Sequence, residues 1–184
     1  MTGASDDEPP GTGDAVRSAR GVEQQVLAEM AEEERDRTLD LSQALLERLW
    51  RGDAVTVRVL GRAFDGFVVH VGDDLVTLRT VDGATVDVRI GAVLSVASLE
   101  SGTGVLRALA QPDPRRFVAR LREILDAGDV PLVVGAEHGA REMRGRLVRI
   151  HADHVVFEAD EGSEWLLPLA TVAFVRREPP GPLA

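Results

Sequence analysis

The feature that most constrains this chain is that much of it is written twice. Displacing the sequence by 79 positions lays Gly66 to Val96 on Gly145 to Val175 without a gap. Val69 falls on Val148, Val71 on Ile150, Asp74 on Asp153, Val76 on Val155, Leu78 on Phe157 and Gly83 on Gly162. Further along, Val86 meets Trp165, Val88 meets Leu167, Ile90 meets Leu169 and Val93 meets Val172. Upstream the displacement is 76, which sets Leu45 on Leu121, Leu49 on Leu125 and Gly52-Asp53 on Gly128-Asp129. The three extra residues of the second copy fall in the loop Gly135 to Arg144, where added length costs little closure entropy. A chain of 184 residues built this way reads as two like units.

Hydrophobic period tells what each unit contains. Leu41, Leu45 and Leu49 recur every four residues, Asp40 and Gln43 have capping-box spacing, and Gly52 supplies a left-handed stop, so a helix ends there. An earlier stripe, Val22, Val26 and Met30, makes residues 22 to 51 either one helix or two broken near Thr38 to Asp40. After Gly52 the period becomes two: Val55, Val57 and Val59, then Phe67, Val69 and Val71, then Val86, Val88 and Ile90. Gly61-Arg62, Gly72-Asp73-Asp74 and Asp82-Gly83 punctuate these runs, the last as a hairpin signal. In the second copy Asp113 is placed as an N-cap, Pro114 suits the first helical position, and Phe117, Leu121 and Leu125 form the stripe. Five short strands within about 45 residues predict a small barrel, because none of them is long enough to stand alone.

Helix, glycine stop and five bent strands, with glycine inside the second strand, resemble the Sm-like fold of Sm, LSm and Hfq proteins. The resemblance is carried by Val57, Gly66, Val68, Asp73-Asp74, Leu75, Leu78, Gly83, Val86 to Ile90 and Val93 to Val96. Its second set is Val133, Gly145, Leu147, Asp153, Phe157, Gly162, Trp165 to Leu169 and Val172 to Val175. The fold expected is therefore mainly β: two tandem five-stranded Sm-like or SH3-like barrels, each preceded by an α-helix, with an extra N-terminal helix. The expected divisions are a disordered acidic tail over 1–20, helical segment plus first barrel over 21–98, a linker over 99–112, helix plus second barrel over 113–177, and a tail over 178–184. A short helix is expected in the linker at Val105 to Leu109.

The resemblance also implies binding of single-stranded RNA through an asparagine after the second turn and an Arg-Gly pair between the last two strands. This chain has no asparagine; Leu75-Val76-Thr77 and His154-Val155-Val156 follow the turns instead. Arg89 is separated from Gly91 by Ile90, and its counterpart is Pro168. Those departures remove the residues on which the implied RNA site depends.

Charge is unevenly distributed. The chain carries −10 overall, yet residues 101 to 150 hold nine arginines against six acids. Arg141, Arg144, Arg146 and Arg149 crowd the first bend of the second copy and are the candidate nucleic-acid contacts, each able to meet a phosphate. No aromatic residues interleave with them as stacking platforms. Trp165, Leu166 and Pro168 are the candidate protein interface: Leu166 stands where the first copy has Asp87, and a proline cannot donate to a ladder, which suits an edge strand.

Catalysis and metal binding find little footing. There is no cysteine, so thiol nucleophiles and thiolate metal sites are excluded. His151 and His154 flank a turn near Glu137 and His138, a geometry that does not aim both rings at one ion, and no metal or cofactor is expected. Asp73, Asp74 and Asp82 read as turn formers, and no phosphate loop or triad order is present. The acidic N-terminus lacks the order of a signal peptide and no run approaches ~20 apolar residues, so a cytoplasmic, non-membrane protein without a small-molecule substrate is expected. The function expected is a non-catalytic scaffold or regulatory adaptor acting through protein contacts or self-association. The alternative is a nucleic-acid-binding regulator using the second copy's arginines.

Overall fold

The computed structural model describes residues 40–100, 115–128, 132–136 and 141–178. The expected acidic tail, the Val22 to Met30 stripe, the Val105 to Leu109 helix, the Asp113-Pro114 cap and the residues Glu137 and His138 lie outside that set. Among the described residues the chain is mainly β, as its alternation predicts. The first-half strands are β1 (Ala54–Val59), β2 (Arg62–Val71), β3 (Leu75–Thr80), β4 (Thr85–Arg89) and β5 (Ser95–Glu100). Those of the second half are β6 (Leu132–Ala136), β7 (Arg141–Ile150), β8 (His154–Ala159), β9 (Glu164–Pro168) and β10 (Val172–Arg177). Helix α1 covers Leu41–Arg51 and α2 covers Phe117–Asp126.

Helix α1 is set by its own sequence. The Asp40 carboxylate accepts from the Gln43 N–H at 2.8 Å, and the Asp40 N–H donates to the Gln43 side chain at 3.4 Å, the reciprocal cap its spacing predicts. Gly52 ends the helix at φ 68°, where a side chain would be disfavoured. Just beyond it, the almost wholly buried Asp53 takes Arg48 and Arg51 at 3.0 and 3.1 Å. Leu45 and Leu49 point into the core.

The start of α2 differs from the sequence expectation. Arg116 is extended, at φ −93° and ψ 155°, so the helix begins at Phe117 rather than at Pro114. Its cap arrives from elsewhere in the chain: the Phe117 N–H donates to the Asp74 carboxylate at 2.6 Å. Asp73, beside it on the β2–β3 turn, pairs with Arg116 at 3.5 Å. A carboxylate at the positive end of a helix satisfies an orphan donor and complements the dipole. Asp74→Ala is expected to lower unfolding stability by about 1 kcal/mol, read as a lower urea midpoint with unchanged slope.

All sheet neighbours pair antiparallel, in the order β5-β1-β2-β3-β4-β10-β6-β7-β8-β9. Two separate small barrels are the sequence expectation; the ladder observed is one ten-stranded sheet, open at β5 and β9. Continuity comes from β4 and β10, which pair with Val88 opposite Phe174, Asp87 opposite Val175 and Thr85 opposite Arg177. Each strand thereby satisfies backbone groups that would otherwise form a bare edge. Strand β5 also runs through Glu100, past the residue at which a linker is expected to begin.

The two halves share local geometry at the 79-residue offset. Strand β2 bulges between Val68 and His70 and β7 between Leu147 and Arg149. Gly66 faces Thr80 and Gly145 faces Ala159. The Val81 N–H reaches the Asp65 carbonyl as that of Asp160 reaches Arg144, and Ile90 reaches Asp74 as Leu169 reaches Asp153.

Two apolar clusters fill the interior, and each borrows from the other half. Val55, Val57, Val76, Leu78, Val86 and Val88 pack with Leu45 and Leu49, but the same cluster takes in Val133, Ala173 and Phe174. The Phe174 ring meets Phe64 edge to face at 5.0 Å. Phe117, Leu121, Ile124, Phe157 and Val175 form the second cluster together with Leu75 of β3. The junction is thus packed as a core, not merely hydrogen-bonded along one ladder.

Candidate interaction site

Beneath α2, the β4–β10 junction encloses a carboxylate. Asp87 is fully buried and accepts from the Thr77 hydroxyl at 2.7 Å, from Arg120 Nε at 3.2 Å and from Arg177 Nη2 at 3.0 Å. Four elements, β3, β4, α2 and β10, therefore meet on one side chain. Glu123 extends the network, accepting from Arg120 at 2.6 Å and from Arg115 at 2.8 Å. Burial pushes the Glu123 carboxyl up, but the hydrogen bond from Arg120 and the nearby charge of Arg115 outweigh it and hold the group below the usual carboxylate range. Beside them Arg89 lies over the Phe117 ring at 5.4 Å and donates to the Ala170 carbonyl at 2.5 Å, tying β4 to both α2 and the β9–β10 turn.

At the far end of the sheet, the expected interface residues divide between the two faces of β9. The Trp165 ring packs against the second cluster, and its N–H donates to the Ser163 hydroxyl at 2.9 Å. Leu166 faces outward and is 64% exposed. Pro168 is exposed at the end of the strand. The opposite edge is also apolar: Leu94 just before β5 and Leu99 within it are 71% and 51% exposed.

The four arginines expected to contact nucleic acid all lie on β7. Arg144 lines a cleft of about 400 Å³ that also holds Arg62, Arg176, Asp65, Asp82 and Glu142, over a floor containing Phe64 and Phe174. There Arg62 pairs with Glu142 and Arg176 pairs with Asp82. The Thr80 hydroxyl, with help from Arg176, holds the Asp82 carboxyl below its ordinary range. Arg146 faces Glu158 at 3.0 Å. Arg149 is exposed beyond the bulge, and Arg141 begins the strand.

The turn residues have structural partners. The rings of His151 and His154 stack at 4.6 Å, and His154 Nδ1 lies 2.7 Å from Asp153. That hydrogen bond, and then the charge of the ring, keep the Asp153 carboxyl low. Among the described residues no group of three or more His, Cys, Asp or Glu side chains is placed to hold a metal ion, and no helix is long and apolar enough to cross a membrane.

Alternation along β4 marks Asp87 as an outward residue, which is how sequence reasoning missed it. Its outward face is the one that meets Arg120 of α2, with Arg177 reaching it from the neighbouring strand β10. The available signal was the contrast with Leu166 at the equivalent position, where the same face carries an apolar side chain. Compared with known proteins, the chain matches no family model, no curated protein and no solved structure.

Proposed function

We propose that this chain is a non-catalytic, self-associating scaffold made of two tandem Sm-like units, in which β9 of one chain pairs with β5 of the next. The observation that carries this reading is the β4–β10 ladder. At the 79-residue offset, β4 corresponds to β9 and β10 to β5, and these are the two strands that end the sheet. Transferring the internal register puts Val96 opposite Leu166, Ser95 opposite Leu167 and Ser98 opposite Glu164. Pro168 then falls just outside the ladder, where its missing N–H costs nothing.

Burial supports the pairing. Asp87 and Val175, opposite one another at the internal junction, are fully buried. Their counterparts are exposed Leu166 and half-buried Val96, each of which would lose surface on association. Such an interface is head-to-tail, so it closes into a ring where the rotation per chain permits and otherwise extends as a filament.

Light scattering on the intact chain is expected to give a mass that is a multiple of 19.8 kDa. Leu166→Asp should return it toward one chain while the circular dichroism spectrum is kept. A wild-type monomer at every concentration, or an assembly indifferent to Leu166→Asp, would count against the reading. The nucleic-acid alternative has less support, because Arg146 is paired and Arg144 shares its cleft with three carboxylates. Heparin retention at low salt that Arg144→Glu with Arg146→Glu abolishes would favour it instead.

A further inference from the structure

Above the buried Asp87 a second cleft opens, of about 250 Å³, with Arg79, Arg115, Arg120 and Arg177 in its walls beside His70 and Thr85. Among the described residues no carboxylate lines it. These groups come from five places: His70 on β2, Arg79 on β3, Thr85 on β4, Arg115 and Arg120 at α2, and Arg177 on β10. The sequence gives no hint of their convergence, since Arg79 and Arg177 are far apart along the chain.

Among the described residues, four guanidiniums meet two carboxylates here. Asp87 lies wholly buried beneath the cleft, holding Arg120 and Arg177, while Glu123 holds Arg115 and Arg120. Arg79 donates to the Gly83 carbonyl at 3.1 Å and has no carboxylate partner among the described residues. Arg177 Nε is buried with no hydrogen-bond partner. Burial lowers the Arg177 pKa from its ordinary value; Asp87 opposes this, but repulsion from Arg120 and Arg79 adds to it. Among the described residues that line the cleft or pair with its walls, guanidiniums outnumber carboxylates, and burial there weakens screening.

We propose that this cleft binds a small phosphate-bearing dianion, either inorganic phosphate or the terminal phosphate of a small phosphomonoester. A dianion suits a cleft lined by four arginines. Guanidinium forks converging from several elements suit phosphate oxygens, which accept paired N–H donors. The volume holds several waters at ~30 Å³ each, enough for a phosphate and a short organic group but not for a length of polymer. The Thr85 hydroxyl supplies a further donor at the rim.

The site lies within one chain, so it is independent of association, and Leu166→Asp should bind as the wild type does. The test is isothermal titration of the full chain with inorganic phosphate, pyrophosphate and glycerol phosphate, against chloride at equal ionic strength. Saturable binding is expected for phosphate and at least one of the other two. Arg79→Gln and Arg115→Gln should each weaken it by about tenfold or more. Arg79→Gln is the safer variant, because the side chain is exposed and its loss leaves no carboxylate unpaired. Arg62→Gln, in the other cleft, should leave binding unchanged. The proposal is overturned by a response no stronger than that of chloride. Binding indifferent to both arginine variants would also overturn it, as would a single-stranded oligonucleotide binding more tightly than phosphate through the same arginines.

Discussion

Replacing Asp87 by asparagine is expected to cost about 3 kcal/mol of stability, the lower end of what removing one partner from a buried ion pair usually costs. Asparagine keeps the shape and can still meet the Thr77 hydroxyl. It removes the charge that holds Arg120 and Arg177 together across the β4–β10 junction. Those side chains are each 23% exposed, so they can partly recover water by turning outward, and this keeps the loss from the top of the range. The exposed Arg146–Glu158 pair is the natural comparison: Glu158→Gln should cost less than about 1 kcal/mol. Urea unfolding followed by the fluorescence of Trp50 and Trp165 measures both. Equal losses for the two substitutions would show that the buried carboxylate does not organise the junction.

The other large effect is expected at the paired glycines. A Cβ on Gly66 would lie 2.2 Å from the Arg79 carbonyl oxygen and 2.8 Å from Thr80 Cα; on Gly145 it would lie 1.9 Å from the Glu158 carbonyl oxygen and 2.7 Å from Ala159 Cα. Every one of those atoms is backbone, so relief requires the neighbouring strand to shift. Shifting β3 or β8 breaks ladder bonds and moves Leu78 or Phe157 within the core. Gly66→Ala and Gly145→Ala should therefore each cost at least about 3 kcal/mol, at or beyond the usual range for overpacking. Gly91→Ala is the control, since a Cβ there meets nothing within 4 Å. Melting temperatures near wild type for the first two would mean that the strands can separate without loss, contrary to the packing described.

These two predictions also mark what the sequence could and could not reveal. The glycines were legible, because both copies carry one at the same point of a strand that must bend. The Asp40–Gln43 cap and the Gly52 stop were legible as well, since each acts within a few residues. Asp87 was not legible, because its burial depends on a helix and a strand that come later in the chain. For the same reason the α2 start was misplaced: Asp74, which caps Phe117, lies 43 residues before it. The arginines illustrate a further limit. Those between residues 101 and 150 were counted as one basic stretch, yet the fold sends Arg115 and Arg120 to one cleft and Arg144 to another. A run of charge along a chain becomes a surface patch only if its residues share a face.

Continuity of the sheet has the same origin. Alternation predicts each strand and its hairpin partner, but pairing of β4 with β10 joins residues about 90 apart and leaves no local trace in either. The repeat does not reveal it either, since read alone it predicts two separate barrels rather than one sheet.

The absence of cysteine makes the proposed edge pairing directly measurable. A Val96→Cys chain and a Leu166→Cys chain, mixed and mildly oxidised, place one thiol on each edge at directly opposed positions, where side chains lie about 4.5–5.5 Å apart at Cβ and a disulfide can close with small adjustment. The expected result is a covalent dimer in the mixture and none in either variant alone, with the double variant giving larger covalent species. If both variants fold and the mixture yields no more cross-linked product than either alone, the two edges do not meet and the scaffold reading is wrong.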